Sequence, residues 1–158
     1  YDPVYKVHPP LRTDADVEAV KAGLADGTID AIATDHAPHT PKSKQQTFAD
    51  APPGMLGLET AFAVANTYLD MPIESLLGAM SWRPAAICGL NGNHGGPIEE
   101  GSAGNLTVID PNAAWTVSAA ELASRSSNTP YEGMALRGRV RHTIYKGEAV
   151  VIDGVAQR

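Results

Sequence analysis

The sequence predicts an α/β fold with a functional site at the carboxyl end of a buried strand. Ile29–Thr34 is a short apolar run, partly β-branched, that follows the turn signal Asp26-Gly27, as is typical of a buried strand. The run ends in Asp35, His36 and His39, which could bind a metal or transfer a proton. Because Asp and His are rarely buried without a partner, this cluster favours an active site at the mouth of a parallel α/β structure.

An amphipathic helix is predicted before this strand. Thr13 or Asp14 can cap its start, and Gly27 follows its end. Its apolar positions recur with helical spacing at Val17, Val20 and Leu24. Val4–Val7 alternates weakly and predicts a short strand that ends before two prolines. The first 35 residues therefore predict a βαβ unit with parallel strands.

The middle of the chain predicts one long loop and three helices. Thr40–Gly57 is first polar and then rich in Pro and Gly, and it leaves the strand end that carries the Asp/His cluster. Because long loops in compact domains are usually functional, we expect this one to cover a substrate. The helices are predicted at Leu58–Leu69, Ile73–Met80 and Pro84–Leu90.

The sequence after Asn91 has a β-rich pattern. We predict strands over residues 104–110 and 114–117, and a hairpin of Arg139–Tyr145 with Glu148–Ile152 around Lys146-Gly147. The chain is therefore expected to divide into an α/β unit, residues 1–91, and a β-rich unit, residues 92–158.

The composition argues against several classes of function. The net charge of −6 does not favour binding to nucleic acid or to an anionic membrane. No apolar run is long enough to span a bilayer, and we expect no signal peptide. A single cysteine, Cys88, excludes an internal disulfide and suits a reducing compartment. We expect a cytoplasmic protein with a small-molecule substrate.

Asp35 is the candidate for metal binding and proton transfer. A carboxylate at a strand end can ligate a divalent ion and accept a proton from water acidified by that ion, although Asp35 could also cap a turn. His36 could be a ligand or pack beside the site, and His39 could meet substrate or be an exposed loop residue. Because parallel strands end side by side, we expect His8 near Asp35, unless His8-Pro9 only makes a turn.

Four strings occur in order between Lys6 and Gly154: His-Pro-Pro-Leu-Arg, Thr-Asp-His-Ala-Pro-His, Ala-Pro-Pro-Gly-Met-Leu-Gly-Leu-Glu-Thr, and Ser-Arg-Ser-Ser-Asn-Thr-Pro-Tyr-Glu-Gly-Met-Ala-Leu-Arg-Gly-Arg-Val. In this order and spacing they resemble the C-terminal portion of class I bacterial dihydroorotase, a family of the amidohydrolase superfamily. The resemblance implies the C-terminal part of a (β/α)₈ TIM-like barrel, here its last two strands. It also implies that residues 92–158 contribute strands to a small flanking β-sandwich.

The same resemblance implies a zinc-dependent enzyme, with one or two ions, that interconverts N-carbamoyl-L-aspartate and dihydroorotate in pyrimidine biosynthesis. By position, Asp35 resembles the family's metal ligand and proton carrier, and His39 resembles its substrate-binding histidine. Pro53 and Gly54 match a loop that contacts substrate through its backbone, and His8 matches another substrate-binding position. The other metal ligands belong to earlier strands, so we expect a fragment that is inactive without the N-terminal half of the barrel.

Two positions depart from the family pattern. His8 stands where the family usually has an Asn that hydrogen-bonds substrate, and Pro53 stands where an aromatic residue is common. Two alternatives stay open: an inactive dihydroorotase-like scaffold for aspartate transcarbamoylase, and a related cyclic amidase such as a hydantoinase or allantoinase. A homodimer or a complex with aspartate transcarbamoylase is the expected assembly.

Overall fold

The computed structural model describes residues 1–90 and 92–157, and within them it shows helices followed by one antiparallel sheet. The helices are α1 (Asp14–Asp26), α2 (Pro41–Lys44), α3 (Ala61–Tyr68), α4 (Ile73–Met80) and α5 (Trp82–Ile87), with 3₁₀ turns at Pro3–Tyr5 and Ala119–Glu121. The strands pair in the order β1 (Leu106–Thr116), β2 (Ala135–Tyr145), β3 (Glu148–Ile152) and β4 (Val155–Ala156). The predicted boundary at Asn91 lies outside the described residues, and the division into two units stays a prediction.

Helix α1 forms where its capping signals predict it. The Thr13 hydroxyl accepts a hydrogen bond from the backbone N–H of Asp16, and the Asp16 carboxylate accepts one from the backbone N–H of Thr13. This reciprocal pair satisfies two N–H groups at the helix start. Gly27 ends the helix with a φ of 84°, a conformation that glycine adopts without strain. Of the predicted apolar stripe, only Leu24 is buried within the described structure.

The first predicted strand is wrong. Residues Pro3–Tyr5 form a 3₁₀ turn instead, and the Asp2 carboxylate accepts a hydrogen bond from the Val4 N–H at its start. Pro3 lies at the first position of this turn, where its missing N–H costs nothing. The weak alternation of Val4–Val7 therefore does not specify a ladder.

The second predicted strand, Ile29–Thr34, also forms no ladder with the described residues. Its Ile32 N–H donates to the Ala79 carbonyl of α4 at 2.9 Å. A ladder requires a neighbouring strand in register. The nearest approach to one is a single parallel bridge between His36 and Met55, just beyond the predicted run. The βαβ unit is therefore present only as its helix.

Three later helices form near their predicted positions. Helix α4 has the predicted bounds, α3 begins three residues late and ends one residue early, and α5 begins two residues early and ends three residues early. Helix α3 joins the two apolar clusters. Its Phe62 and Ala65 pack with Leu76 of α4, and its Ala63 packs with Val117 and Leu136 beside the sheet.

The sheet contains one irregular strand where two were predicted. Strand β1 pairs with β2 along Leu106–Thr116, with register shifts between Val108 and Ile109 and between Asp110 and Ala114. The Asp110 carboxylate accepts two backbone N–H groups at the second shift, where Pro111 interrupts the ladder. The predicted hairpin is confirmed: β2 and β3 are joined by Lys146 and Gly147, both with positive φ.

Helix α3 approaches β2 closely at Gly138. The Asn66 amide donates to the carbonyls of Pro111 and Arg137, both at 2.9 Å. A Cβ atom at Gly138 would lie 2.9 Å from both Asn66 Nδ2 and Phe62 Cε1. Because Gly138 has no side chain, helix α3 can pack closely against strand β2.

We expect Gly138→Ala to destabilise the protein more than Gly147→Ala. Both glycines have positive φ, so each substitution costs about 1–2 kcal/mol of backbone strain. Only Gly138 is crowded, because nothing lies within 4 Å of a Cβ at Gly147. Overpacking adds about 1–3 kcal/mol at Gly138. Urea unfolding of the two variants measures the difference, and equal losses would contradict the packing argument.

Candidate active site

Asp35 lies at the end of the predicted strand with an unusual backbone conformation. Its φ is 44°, in the left-handed region that non-glycine residues rarely adopt. Its side chain is exposed and makes no hydrogen bond or salt bridge within residues 1–90 and 92–157. Strained residues are concentrated at functional sites, and this carboxylate is free to accept a metal ion or a proton.

His36 holds the following loop in place. Its Nδ1 accepts hydrogen bonds from the backbone N–H groups of Gly57 and Leu58 at 3.1 and 3.2 Å. An imidazole nitrogen that accepts carries no proton, so the proton of neutral His36 is on Nε2. The Ala37 N–H donates to the Met55 carbonyl next to this pair. Of the two roles left open for His36, the structure therefore shows packing beside the site, with Nδ1 unavailable to a metal.

His39, Pro53 and Gly54 are brought together. The His39 Nε2 lies 3.0 Å from the Pro53 carbonyl oxygen. Because a carbonyl only accepts, Nε2 carries the proton and Nδ1 is the nitrogen left for another partner. Gly54 has a φ of 132°, and a Cβ there would lie 2.7 Å from His39 Nε2. Three of the four predicted substrate-binding residues therefore lie against one another, with Gly54 buried, and their role in binding stays a prediction.

The backbone of Gly54 is already hydrogen-bonded. Its N–H donates to the Lys6 carbonyl at 2.8 Å. Its carbonyl accepts from Lys44 Nζ at 3.0 Å and from Asn128 Nδ2 at 3.3 Å. A substrate that contacts this loop through its backbone would therefore use the second lone pair of the Pro53 carbonyl or replace one of these bonds.

His8 is exposed and lies two residues beyond Lys6, whose carbonyl contacts the loop at Gly54. Within the described part of the chain, no hydrogen bond or salt bridge joins His8 to Asp35. The expected proximity of these two residues therefore stays a prediction.

Lys44 is a site residue that the sequence did not indicate. Its side chain is only 9% exposed, and its Nζ donates to the carbonyls of Pro52 and Gly54 at 3.0 Å each. Burial lowers the pKa of the Lys44 amine, and the positive charge of Lys6 lowers it further, while Asp2 opposes this. The residue ends the short helix α2 within the predicted loop, a position without a distinctive local pattern.

Asn128 is a second site residue that the sequence did not indicate. It is 5% exposed, its Oδ1 accepts the His39 N–H at 3.0 Å, and its Nδ2 donates to the Ala37 carbonyl at 2.9 Å. Its own carbonyl accepts the Leu56 N–H. The only sequence signal was its place in the Asn-Thr-Pro-Tyr string, which gave no spatial information.

The described residues contain no group of three or more His, Cys, Asp or Glu side chains able to hold a metal together. Asp35 nevertheless fits as one ligand, because an exposed carboxylate without a partner is a good oxygen donor for a divalent ion. Zinc sites use three or four protein ligands, so Asp35 alone does not form one.

The chain matches the Amidohydrolase family over residues 9–150 and belongs to it. It is 49% identical to a dihydroorotase from Streptomyces coelicolor, covering 98% of this chain and 37% of that protein. It is 47% identical to a dihydroorotase from Mycobacterium tuberculosis, with 98% and 36% covered. The resemblance to dihydroorotases is confirmed, and the chain spans just over a third of the length of these relatives.

Solved structures confirm the predicted fold class, part of a TIM-barrel amidohydrolase. A D-hydantoinase (dihydropyrimidinase) from Thermus sp. superposes with a TM-score of 0.88 at 27% identity, over 98% of this chain and 35% of that one. An L-hydantoinase (dihydropyrimidinase) from Arthrobacter aurescens gives 0.89 at 28% identity, over 99% and 36%. Among the described residues, no helix is both long and apolar enough to cross a membrane.

We expect the stability contributed by Lys44 to rise with pH. Its pKa in the folded protein is below the ordinary value of 10.5, so between these two values the unfolded chain binds more protons than the folded one. The free energy of unfolding of the wild type should therefore rise relative to Lys44→Met as pH increases through this window. Urea unfolding of both proteins from neutral pH to 10.5 tests this, with Lys42→Met as the exposed control. A constant difference would contradict the burial argument.

Proposed function

We propose that the protein carrying this chain is a dihydroorotase, which catalyses the reversible hydrolysis of dihydroorotate to N-carbamoyl-L-aspartate in de novo pyrimidine biosynthesis. The main support is the 49% identity to a dihydroorotase over nearly the whole chain. Two observations agree with this activity: the exposed Asp35 carboxylate, which is unpaired within residues 1–90 and 92–157, and the contact of His39 with Pro53 and Gly54.

Opening a cyclic amide requires deprotonation of the attacking water and protonation of the leaving nitrogen. Asp35 is suited to both steps, because its exposed carboxylate can accept a proton from water and return it to the nitrogen. We propose that the cofactor is zinc, as one or two ions, with Asp35 as one of the ligands. When bound, zinc would acidify the attacking water and polarise the amide carbonyl. Because Asp35 alone does not make a zinc site, we expect the chain to be inactive by itself.

The loop that contains Pro53 and Gly54 suits an anionic substrate. His39 has Nδ1 open while Nε2 is held by the Pro53 carbonyl. Lys6 and Lys44 both hydrogen-bond backbone carbonyls of the loop, so two positive charges lie near it. Dihydroorotate carries one carboxylate and N-carbamoyl-L-aspartate carries two, and a positive local field favours both. We propose His39, His8 and the Pro53–Gly54 backbone as the substrate contacts.

The alternative activities receive less support. Hydantoinases share the fold at 27–28% identity, well below the identity to dihydroorotases. No contact in the described structure favours an inactive scaffold. We propose a cytoplasmic enzyme that assembles as a homodimer or with aspartate transcarbamoylase, and sedimentation of the complete protein with and without that enzyme tests the assembly.

We expect Asp35→Asn to lower kcat of the complete protein by about 10²–10⁴-fold, the usual contribution of a general acid–base group. Stability should be unchanged, because the side chain is exposed and unpaired within the described structure. Dihydroorotate hydrolysis, followed by absorbance, measures the effect. Asp30→Asn, an exposed aspartate in the same segment, is the control and should retain full activity. Undiminished turnover by Asp35→Asn would rule out its proton-transfer role.

We expect His39→Ala to raise KM for dihydroorotate more than it lowers kcat. A hydrogen bond to a charged group contributes about 1.5–3 kcal/mol, which corresponds to roughly a 10–100-fold change in affinity. Steady-state kinetics in both directions give the split between KM and kcat. His94→Ala, which removes a ring stacked on Tyr145 in the second half of the chain, is the control. Unchanged kinetics for His39→Ala would remove His39 from the site.

A further inference from the structure

The Asn128 side chain joins two segments that are far from it in sequence. It is 89 residues from His39 and 74 from Gly54, yet its carboxamide bonds to both. Its Nδ2 also donates to the Ala37 carbonyl. The residue is 5% exposed, so water does not compete for these bonds.

The bonding capacity of this carboxamide is well matched to its position. The amide nitrogen has two hydrogens, and each has a backbone carbonyl acceptor, at Ala37 and at Gly54. The oxygen accepts the His39 N–H. A carboxylate has no hydrogen for the two carbonyls, and an aliphatic side chain offers neither role. Only an amide of this length satisfies all three groups in place.

All three backbone groups belong to the proposed site. Ala37 lies two residues from Asp35, His39 is the proposed substrate-binding histidine, and Gly54 follows Pro53, whose carbonyl accepts from His39. The amide therefore fixes the distance between the segment that carries the proton-transfer group and the loop that carries the substrate surface. Displacements of about 1 Å at such a site cost about a hundredfold in rate.

We propose that Asn128 is a positioning residue, which holds His39 and the loop at Gly54 in register with the Asp35 segment through the two carbonyl acceptors and the His39 N–H. The proposal rests on the proposed dihydroorotase activity. It assigns a function to the Asn-Thr-Pro segment, which otherwise lies outside the site.

The test compares Asn128→Asp and Asn128→Ala with Thr129→Ala in the complete protein. Asp keeps the volume of Asn and the oxygen that accepts the His39 N–H, but it turns a carboxylate oxygen toward the two carbonyls in a buried place. Ala removes the amide without adding a charge, so the two variants together separate loss of the donors from the burial of a charge. Thr129 is the matched control, because it is 3% exposed and its hydroxyl bonds only the Tyr131 N–H of its own loop within the described structure. Kinetics are measured well below each melting temperature, and hydrogen–deuterium exchange is followed by peptide.

We expect both Asn128 variants to lower kcat/KM for dihydroorotate about 10–100-fold, mainly through KM, and Thr129→Ala to change it less than about twofold. Backbone exchange should accelerate in residues 36–40 and 52–57 only in the Asn128 variants. Wild-type KM and kcat in Asn128→Asp, or the same kinetic loss in Thr129→Ala, would overturn the proposal and leave Asn128 a stabilising residue.

The exchange data separate this proposal from the proposed function. If the wild type converts no dihydroorotate, the dihydroorotase assignment fails, and exchange alone then decides on Asn128. Acceleration confined to residues 36–40 and 52–57 would support the positioning role, and unchanged exchange there would overturn it.

Discussion

The carbonyl groups of Pro52, Pro53 and Gly54 all accept hydrogen bonds from side chains outside residues 52–54. Lys44 donates to the carbonyls of Pro52 and Gly54, and His39 donates to that of Pro53. Asn128 is a second donor to the Gly54 carbonyl. Prolines have no N–H and do not form a regular ladder, so such a loop depends on side chains to satisfy its backbone. Two of the three donors are nearly buried, where an unsatisfied carbonyl is most costly. The shape of the loop, and with it the candidate substrate surface, follows from this requirement.

Asp35 differs from everything around it. His36 is committed on Nδ1, and His39 on Nε2, but the Asp35 carboxylate has no hydrogen bond or salt bridge in residues 1–90 and 92–157. A catalytic group needs rigid surroundings, and the hydrogen bonds of His36 and His39 fix the segment that follows Asp35. The left-handed backbone at Asp35 adds strain that the neighbouring bonds must support. The neighbouring side chains are hydrogen-bonded and the Asp35 carboxylate is not, within the described residues. This difference is the strongest structural argument for a catalytic role of Asp35.

The elements that depend on local sequence signals could be predicted. The elements that depend on pairing between distant segments could not. The capping residues of α1, the apolar pattern of α4 and the Lys146-Gly147 turn act within a few residues, and these elements form as expected. The run Ile29–Thr34 is different, because a strand exists only with a neighbour, and apolar residues do not specify that neighbour. Of the site, the sequence indicated Asp35, His39 and the Pro53–Gly54 loop. The buried donors that hold the loop are fixed by contacts across up to 91 residues and leave no local pattern.

Within the described residues, two side-chain groups connect the site to the second half of the chain. One is the Asn128 amide, and the other is the Glu59 carboxylate, which accepts the backbone N–H groups of Ala123 and Ser124 at 2.8 and 3.1 Å. Both partners lie in the segment between β1 and β2, and Glu59 lies where the site loop leads into α3. Since α3 also packs against β2 at Gly138, any displacement of the sheet must either break these bonds or move the loop with it. The β-rich half therefore helps to set the geometry of the site, although the candidate catalytic and substrate-binding residues all precede it.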